Sequence, residues 1–407
     1  MALALLLAGC GRFDARDWAR VREVTPSFLI ARTADDAALA SDRHGRVALT
    51  WVTNGPGGQD LWLSLSSDSG VTFAPPLRVN PREGGVASQA ESRPLPVFGP
   101  GGELLVVWSQ RRGHDPLVAD LVASAVAVGA RAPAAPVVIN DDAGDALPTY
   151  HGFAAVTFLP GGGVFAAWMD HREGVRQGES AGHASSIFYA VSGDGGATWS
   201  DNRSLTGQAC PCCRPAAIGD ADGVVAVAYR AEQGDRREPA LAISRDRGGS
   251  FALDSVVVAD GWRLPVCPVD GPALSVDAAG GGQYAWYSGA GEAGVWIAAW
   301  HPSAGLAGAR RPLADDLVRT GHPHLATLGG ATLIAVEGTP RADTTRRVVA
   351  VRTLDPDGSL TPWLFLGAQA GDGWIATPGE RTALVCWTER EDGTSRVRVA
   401  RVTRRGR

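Results

Sequence analysis

The sequence has no lysine: all 38 positions counted as Lys or Arg are arginine. That excludes a Schiff-base lysine, a Ser–Lys dyad and a phosphate-loop lysine. Methionine is nearly absent, with Met169 the only one beyond Met1, so a Met-rich copper site is excluded. A surplus of positive charge is also missing. The net charge is −5, which gives no support to nucleic-acid binding, where a basic footprint is the rule. No segment after the first residues approaches the ~18 uninterrupted apolar residues of a spanning helix. Glycine and proline, in contrast, are plentiful, at 52 and 26 residues. Both are costly inside helices, so the chain reads as turn-rich and all-β rather than helical. At 407 residues, 45% of them hydrophobic, it is long enough to bury a sizeable core, either in two or three domains or in one large repeat fold.

The chain opens on a short apolar run ending Leu7-Ala8-Gly9-Cys10. This tetrapeptide resembles a bacterial lipobox at the end of a signal peptide. The resemblance implies that residues 1–10 are a lipoprotein signal segment and that Cys10 is lipidated. Residues 11–22 are then a polar tether, and 23–407 a single domain in the bacterial cell envelope. That domain is expected to be extracytoplasmic, monomeric and in contact with the membrane only through the N-terminal lipid.

An internal repeat organises the rest. A Gly is followed six residues later by a large residue closing an apolar stretch, as in Gly45–Trp51, Gly102–Trp108, Gly162–Trp168, Gly223–Tyr229, Gly280–Trp286 and Gly330–Val336. Arg381–Trp387 is a seventh copy that has lost the Gly. The closing residues recur every 50 to 61 positions. Each copy reads as a turn and a buried strand. Apolar runs lie upstream, such as FAAVTFL, and downstream, such as LWLSLS and SSIFYAVS. Further runs, LRVN and SVVVA, supply a fourth strand in several copies. Units of four antiparallel strands repeated radially make a β-propeller. Seven units predict a seven-bladed propeller. The last unit lacks room for its fourth strand, which the run at 21–30 can supply.

Three copies carry a sharper signature: Ser66-Ser-Asp68-Ser-Gly70-Val-Thr72-Phe73, Ser192-Gly-Asp194-Gly-Gly196-Ala-Thr198-Trp199 and Ser244-Arg-Asp246-Arg-Gly248-Gly-Ser250-Phe251. The pattern S-x-D-x-G-x-[ST]-[FW] resembles the Asp box, or BNR repeat, of the sialidase (neuraminidase) superfamily. The physics is local: the carboxylate can accept from turn amides, Gly takes a positive φ, and the aromatic packs between sheets. The resemblance implies a propeller, with the six blades of sialidases as the alternative count. It does not extend to the catalytic pattern. Sialidases carry a Phe/Tyr-Arg-Ile-Pro motif before the first box and a late Tyr nucleophile, whereas here the last Tyr is Tyr287. Ordinary sialidase activity is therefore not expected.

In a four-stranded meander, residues before strand one and after strand two share a rim, with the strand-one residues nearest the axis. Arg93, His151, Arg214, Asp270 and His322 fall before first strands. Asp170, Arg172, Arg230 and Glu337 follow second strands. Arginine forks suit a carboxylate, phosphate or sulfate, and paired acids could do acid–base work on a glycosidic bond. Alternatively, these charges pair with one another and only seal the channel. Arg214, between Cys213 and Pro215, is singled out as a principal anion contact, assisted by Arg230. The cysteines Cys210, Cys212, Cys213 and Cys267 cluster ahead of two first strands. In an oxidising compartment they are expected to form two disulfides, one linking Cys267 to the Cys210–Cys213 segment and one within it. A soft-metal thiolate site is the alternative reading. No metal and no cofactor are expected. Cys386 reads as a buried free thiol.

The expected function is recognition of a glycan or other anionic ligand at this Arg-rich mouth. The alternatives are a glycoside hydrolase, with exo-α-sialidase the nearest named activity, and an envelope assembly or scaffold protein.

Overall fold

The computed structural model describes residues 18–30, 33–89, 91–127, 129–178, 185–254, 258–313 and 315–405. Cys10 and its flanking residues lie outside them. The described chain is all-β apart from three short helical turns. Its strands form seven four-stranded antiparallel units in chain order.

Blade 1 comprises Asp35–Ser41, Val47–Gly55, Gly58–Ser66 and Leu77–Arg78. Blade 2 comprises Leu95–Phe98, Leu104–Arg111, Ala119–Ala125 and Val137–Val138. Blades 3 and 4 run His151–Phe158, Val164–Asp170, Ser185–Ser192, Arg203–Ala209 and then Ala216–Gly219, Val225–Gln233, Arg236–Ser244, Ala252–Asp254. A single pair, Ala209 with Ala231, joins these two blades into one sheet. Blade 5 comprises Ala273–Leu274, Gly282–Ser288, Gly294–His301 and Gly305–Pro312. Blade 6 comprises Leu317–Leu328, Ala331–Pro340, Val348–Leu354 and Leu364–Leu366. Blade 7 takes Ala370–Gly379, Thr382–Glu391 and Thr394–Arg404, and its fourth strand is Ala19–Glu23 from the N-terminal end. The closing strand thus begins ahead of the run at 21–30 and takes in residues assigned to the tether. Residues Ser27–Ile30 form a helical turn instead. In blade 4, the described part of the fourth strand is Ala252–Asp254, and most of the SVVVA run lies outside the described residues.

The ring is held by seven hydrophobic cores, one between each pair of neighbouring blades, including blades 7 and 1. The closing residue of each repeat explains the spacing seen in the sequence. Trp51, Trp108, Trp168, Tyr229, Trp286, Val336 and Trp387 each lie in the core shared with the preceding blade. A buried Trp removes a large apolar surface from water, and truncating one to Ala typically costs about 3–5 kcal/mol. Where Val336 replaces the aromatic, Trp363 from the same blade fills the core and donates to Asp315 Oδ1 at 2.8 Å.

The Asp boxes are turns on the rim away from the mouth. Asp68 accepts from the Thr72 amide at 2.9 Å and from the Thr72 hydroxyl at 2.6 Å, while Ser66 Oγ accepts from the Gly70 amide at 2.9 Å. Asp194 and Asp246 repeat this arrangement. Gly70, at φ +76°, lies against the preceding blade, and a Cβ there would stand 2.3 Å from Leu384 Cδ1. The box glycine therefore serves the approach of neighbouring blades as well as the turn.

Candidate functional site

Four first strands begin with the same irregularity. Their register shifts within Asp35–Ala38, Gly152–Ala155, Gly321–His324 and Gly371–Trp374. In each shift sits a non-glycine residue at positive φ: Asp36, Phe153, His322 and Asp372, at 50°, 51°, 50° and 57°. Left-handed backbone at such residues costs on the order of 1–3 kcal/mol each and is sustained by the surrounding fold. Bulges re-aim side chains. Here three of the four bring a titratable group into the charged cluster at the axial mouth.

The cluster is centred on Glu91, in the loop before blade 2 and almost fully buried. Glu91 Oε2 accepts from the backbone amides of Gly271 at 2.7 Å and Arg214 at 3.3 Å. Its Oε1 lies 3.1 Å from His322 Nδ1 and 3.6 Å from Arg214 Nε. Burial opposes ionisation of Glu91, but Arg214 and His322 outweigh it and hold the carboxyl below its ordinary range. For His322, too, burial disfavours the charge. Asp270, Glu91 and Glu337 override it and raise the imidazole to about 10, so it is cationic at neutral pH. Its side chain keeps 33% exposure, the most open of the residues around Glu91.

Asp270 accepts from the His322 amide through Oδ2 at 2.9 Å, and its Oδ1 is buried without a partner among the described residues. Burial raises this carboxyl to about 6. Asp36 is likewise raised by burial to about 6, although Arg93 and the hydroxyl of Ser88, which donates at 2.6 Å, pull it down.

Arg93 and Arg214 lie 5.1 and 5.4 Å over the Trp374 ring. Arg93 donates to Ala37 O at 2.9 Å and Asp372 O at 3.1 Å. Arg214 donates to Pro272 O at 3.1 Å and Pro323 O at 2.8 Å. These bonds tie blades 1, 2, 4, 5, 6 and 7 together at the axis. Asp372 is held below its ordinary range because Arg93 and Arg390 outweigh burial. Glu337 accepts from the Asp372 amide and from Arg347 Nη2, both at 2.5 Å. A cavity of about 230 Å³ beside the cluster is lined by Leu95, Ala155, Leu274 and Leu325 together with Arg214, His324 and Trp374.

Of the residues expected at the mouth, Arg93, Arg214, Asp270, His322 and Glu337 come together here. Arg230 lies beside the cluster with its donors committed: Asp270 O at 2.9 Å, Tyr287 O at 3.0 Å and Arg237 O at 3.5 Å. Arg214 forms its ion pair with Glu91. His151, Asp170 and Arg172 go elsewhere, into a sealed network between blades 2 and 3. His151 Nε2 lies 3.0 Å from Asp142 and 3.5 Å from Asp170, and Nδ1 lies 2.8 Å from Ala119 O. Arg172 pairs with Asp170 at 2.8 Å and also with Asp141. His151 and Asp170 are both wholly buried. The carboxylates of Asp142 and Asp170 raise the His151 imidazole against the effect of burial.

Glu91, Asp36 and Trp374 were not among the expected site residues. Asp36 takes its place from the bulge, following Asp35 as His322 follows Gly321 and Asp372 follows Gly371, and a bulge is not visible to a count along the sequence. Glu91 sits in an aperiodic loop and leaves no signal either.

At the mouth ends of blades 4 and 5, Cys212 and Cys267 are disulfide-bonded. The bond from Cys267 to the Cys210–Cys213 segment is thus present. The second expected bond is not formed, and Cys210 and Cys213 are buried thiols. Cys386 is a buried free thiol, pushed up to about 12 by burial.

A closed ring of seven four-stranded blades with a charged axial mouth defines the protein as a β-propeller. No family model and no curated protein matches the chain. Solved structures do. A Dyadobacter fermentans protein of unknown function is similar at TM-score 0.52 and 15% identity, over 95% of this chain and 99% of that one. A polysaccharide lyase of family PL25, an ulvan lyase bound to -[GlcA(1-4)Rha3S]-, is similar at TM-score 0.57 and 12% identity, over 93% and 95%. The Trypanosoma rangeli sialidase with 2,3-difluorosialic acid is similar at TM-score 0.50 and 12% identity, over 94% of this chain but 58% of that one. At these identities the likeness is one of fold: a propeller of the kind seen in sialidases and ulvan lyases.

Proposed function

We propose that this protein binds an acidic saccharide, one carrying carboxylate or sulfate groups, at the axial mouth, and that it does so tethered to the cell envelope through Cys10. The observation that carries the reading is His322. It is a cationic imidazole held by Glu91 through Nδ1, aimed by a left-handed bulge and still partly open to solvent. Arg390 and Arg347, half exposed on the same rim, add positive charge where an anion would arrive. Arg93 and Arg214 act behind them as fixed charges and are poor direct contacts, because both are buried and already donate to carbonyl oxygens. The ulvan lyase holds an acidic saccharide on the same fold, which supports this choice of ligand class.

Calorimetry of the full chain with uronate-containing, sulfated and neutral oligosaccharides tests the reading. Binding of the acidic ligands alone, weakened in His322→Gln, supports it; equal binding of neutral ligands sinks it. For the tether, Cys10→Ser should abolish lipid labelling and release the protein from membranes.

A second reading, a glycan-cleaving enzyme, is favoured by one observation. Asp270, raised to about 6, accepts from the His322 backbone amide, so a readily protonated carboxyl lies beside a cationic imidazole. Release of reducing ends from an acidic polysaccharide, lost in Asp270→Asn, would favour cleavage over binding alone.

A further inference from the structure

The cysteine cluster carries an inference independent of the saccharide reading. The sulfur atoms of Cys210, Cys213 and Cys267 all lie within 4.8 Å of one another. The Cys213 thiol donates to Cys210 at 3.4 Å, and Cys210 lies 3.5 Å from Cys267. A thiolate metal site with metal–sulfur bonds of about 2.3 Å has sulfur–sulfur edges of roughly 3.8 Å. Two of the three edges, at 3.4 and 3.5 Å, are only a few tenths of an ångström short of that spacing, and the third is within 4.8 Å.

Charge supplies the second observation. Arg230 is 2% exposed, and its guanidinium donates only to carbonyl oxygens. Among the described residues no carboxylate forms an ion pair with it. A buried cation without a counter-charge is costly. The Cys210 amide donates to Arg230 O at 3.0 Å, so the cluster and this arginine are neighbours. Neutral thiols or a full set of disulfides would leave Arg230 without a paired counter-charge, with only the longer-range attraction of the Asp270 carboxylate to offset its burial. Three thiolates on Zn(II) carry one net negative charge, and three on Cu(I) carry two; either would balance it.

We propose that Cys210, Cys213 and Cys267 form a thiolate site for a soft d10 cation, Zn(II) or Cu(I), with Cys212 beside it. A dithiol reductant opens the Cys212–Cys267 bond. Two electrons and two protons pass to the two sulfurs, and the reductant becomes a disulfide. Metal binding then displaces the thiol protons to solvent. The ion would clamp blade 4 to blade 5 next to Arg214, which follows Cys213 directly.

The test uses the full chain, reduced with a dithiol, desalted without oxygen and titrated with Zn(II) and, separately, Cu(I) against a chromophoric competitor. Co(II) serves as a spectroscopic probe. One equivalent should bind, with a sulfur-to-cobalt charge-transfer band for Co(II). Cys386→Ser should bind equally well. Cys213→Ser and Cys267→Ser should bind at least about 100-fold more weakly, beyond the usual effect of losing an outer-shell partner. If the reduced wild-type chain, folded by circular dichroism, binds neither ion at one equivalent, the proposal fails. It fails equally if the cysteine variants bind as tightly as the wild type.

Discussion

His151 and His322 stand near the heads of first strands in blades 3 and 6, each beside carboxylates and an arginine, yet they do different work. His151 lies two residues ahead of the left-handed residue of its bulge, Phe153, whereas His322 is itself the left-handed residue. That offset of two positions decides direction. His151 turns between blades 2 and 3, where Asp142 and Asp170 enclose it without exposure. His322 stands at the axial mouth with one third of its side chain open. The same three residue types thus make a seal in one place and a candidate binding site in the other. A histidine, an acid and an arginine near one another are not by themselves evidence of function; their position relative to the bulge is.

The sharpest way to break this comparison is to cut the seal. In Asp170→Asn, Trp168, His151 and Arg172 lose a buried carboxylate acceptor. We expect about 3–5 kcal/mol of lost stability in denaturant unfolding, with saccharide affinity unchanged in the folded fraction. A loss below ~1 kcal/mol would mean that the network is not a seal. The converse change is His322→Gln, expected to weaken acidic-saccharide binding about 10- to 100-fold, as loss of a charged hydrogen bond does. It should cost much less stability than Asp170→Asn, since Glu91 keeps Arg214 and two backbone amides.

Titration sharpens the contrast further. The His322 imidazole is raised from 6.5 to about 10, so its charge is present at lower pH and disappears as pH rises through the folded value. Binding should therefore persist through pH 8 and fall towards pH 10. Loss of binding near pH 6.5 would show that His322 titrates as an ordinary histidine. Its ring resonances in NMR measure the same event directly. The smallest effect is expected at the rim. Arg390→Ala removes a half-exposed partner of Asp372 and should change affinity by no more than about 5-fold and stability by no more than ~1 kcal/mol.

The two parts of the molecule were legible to different degrees. Blade number could be read from the closing residues of the repeats, because each meets a physical demand that recurs once per interface: a bulky apolar group against the preceding blade. Val336 shows the limit of that signal, since its core is completed by Trp363, which lies outside the repeated position. The Asp boxes were legible because their bonds span only four residues, as from Thr72 back to Asp68. The mouth was legible only in part. Counting residues before first strands grouped His151 with His322, because the count cannot register a bulge. Glu91, which accepts from blades 4 and 5 and contacts His322 of blade 6, lies 123 to 231 positions from its partners.

By itself the sequence determined the strands, their grouping into seven units and the turns between them, all of which follow from local chemistry and periodic apolar burial. Tertiary structure decided which charged groups share a space. The closure of the ring brings Arg93 against Asp372 and Glu91 against His322, and the bulges choose which side chains face the axis. Those contacts depend on angles and distances accumulated around the whole circle, which no short stretch of chain can specify.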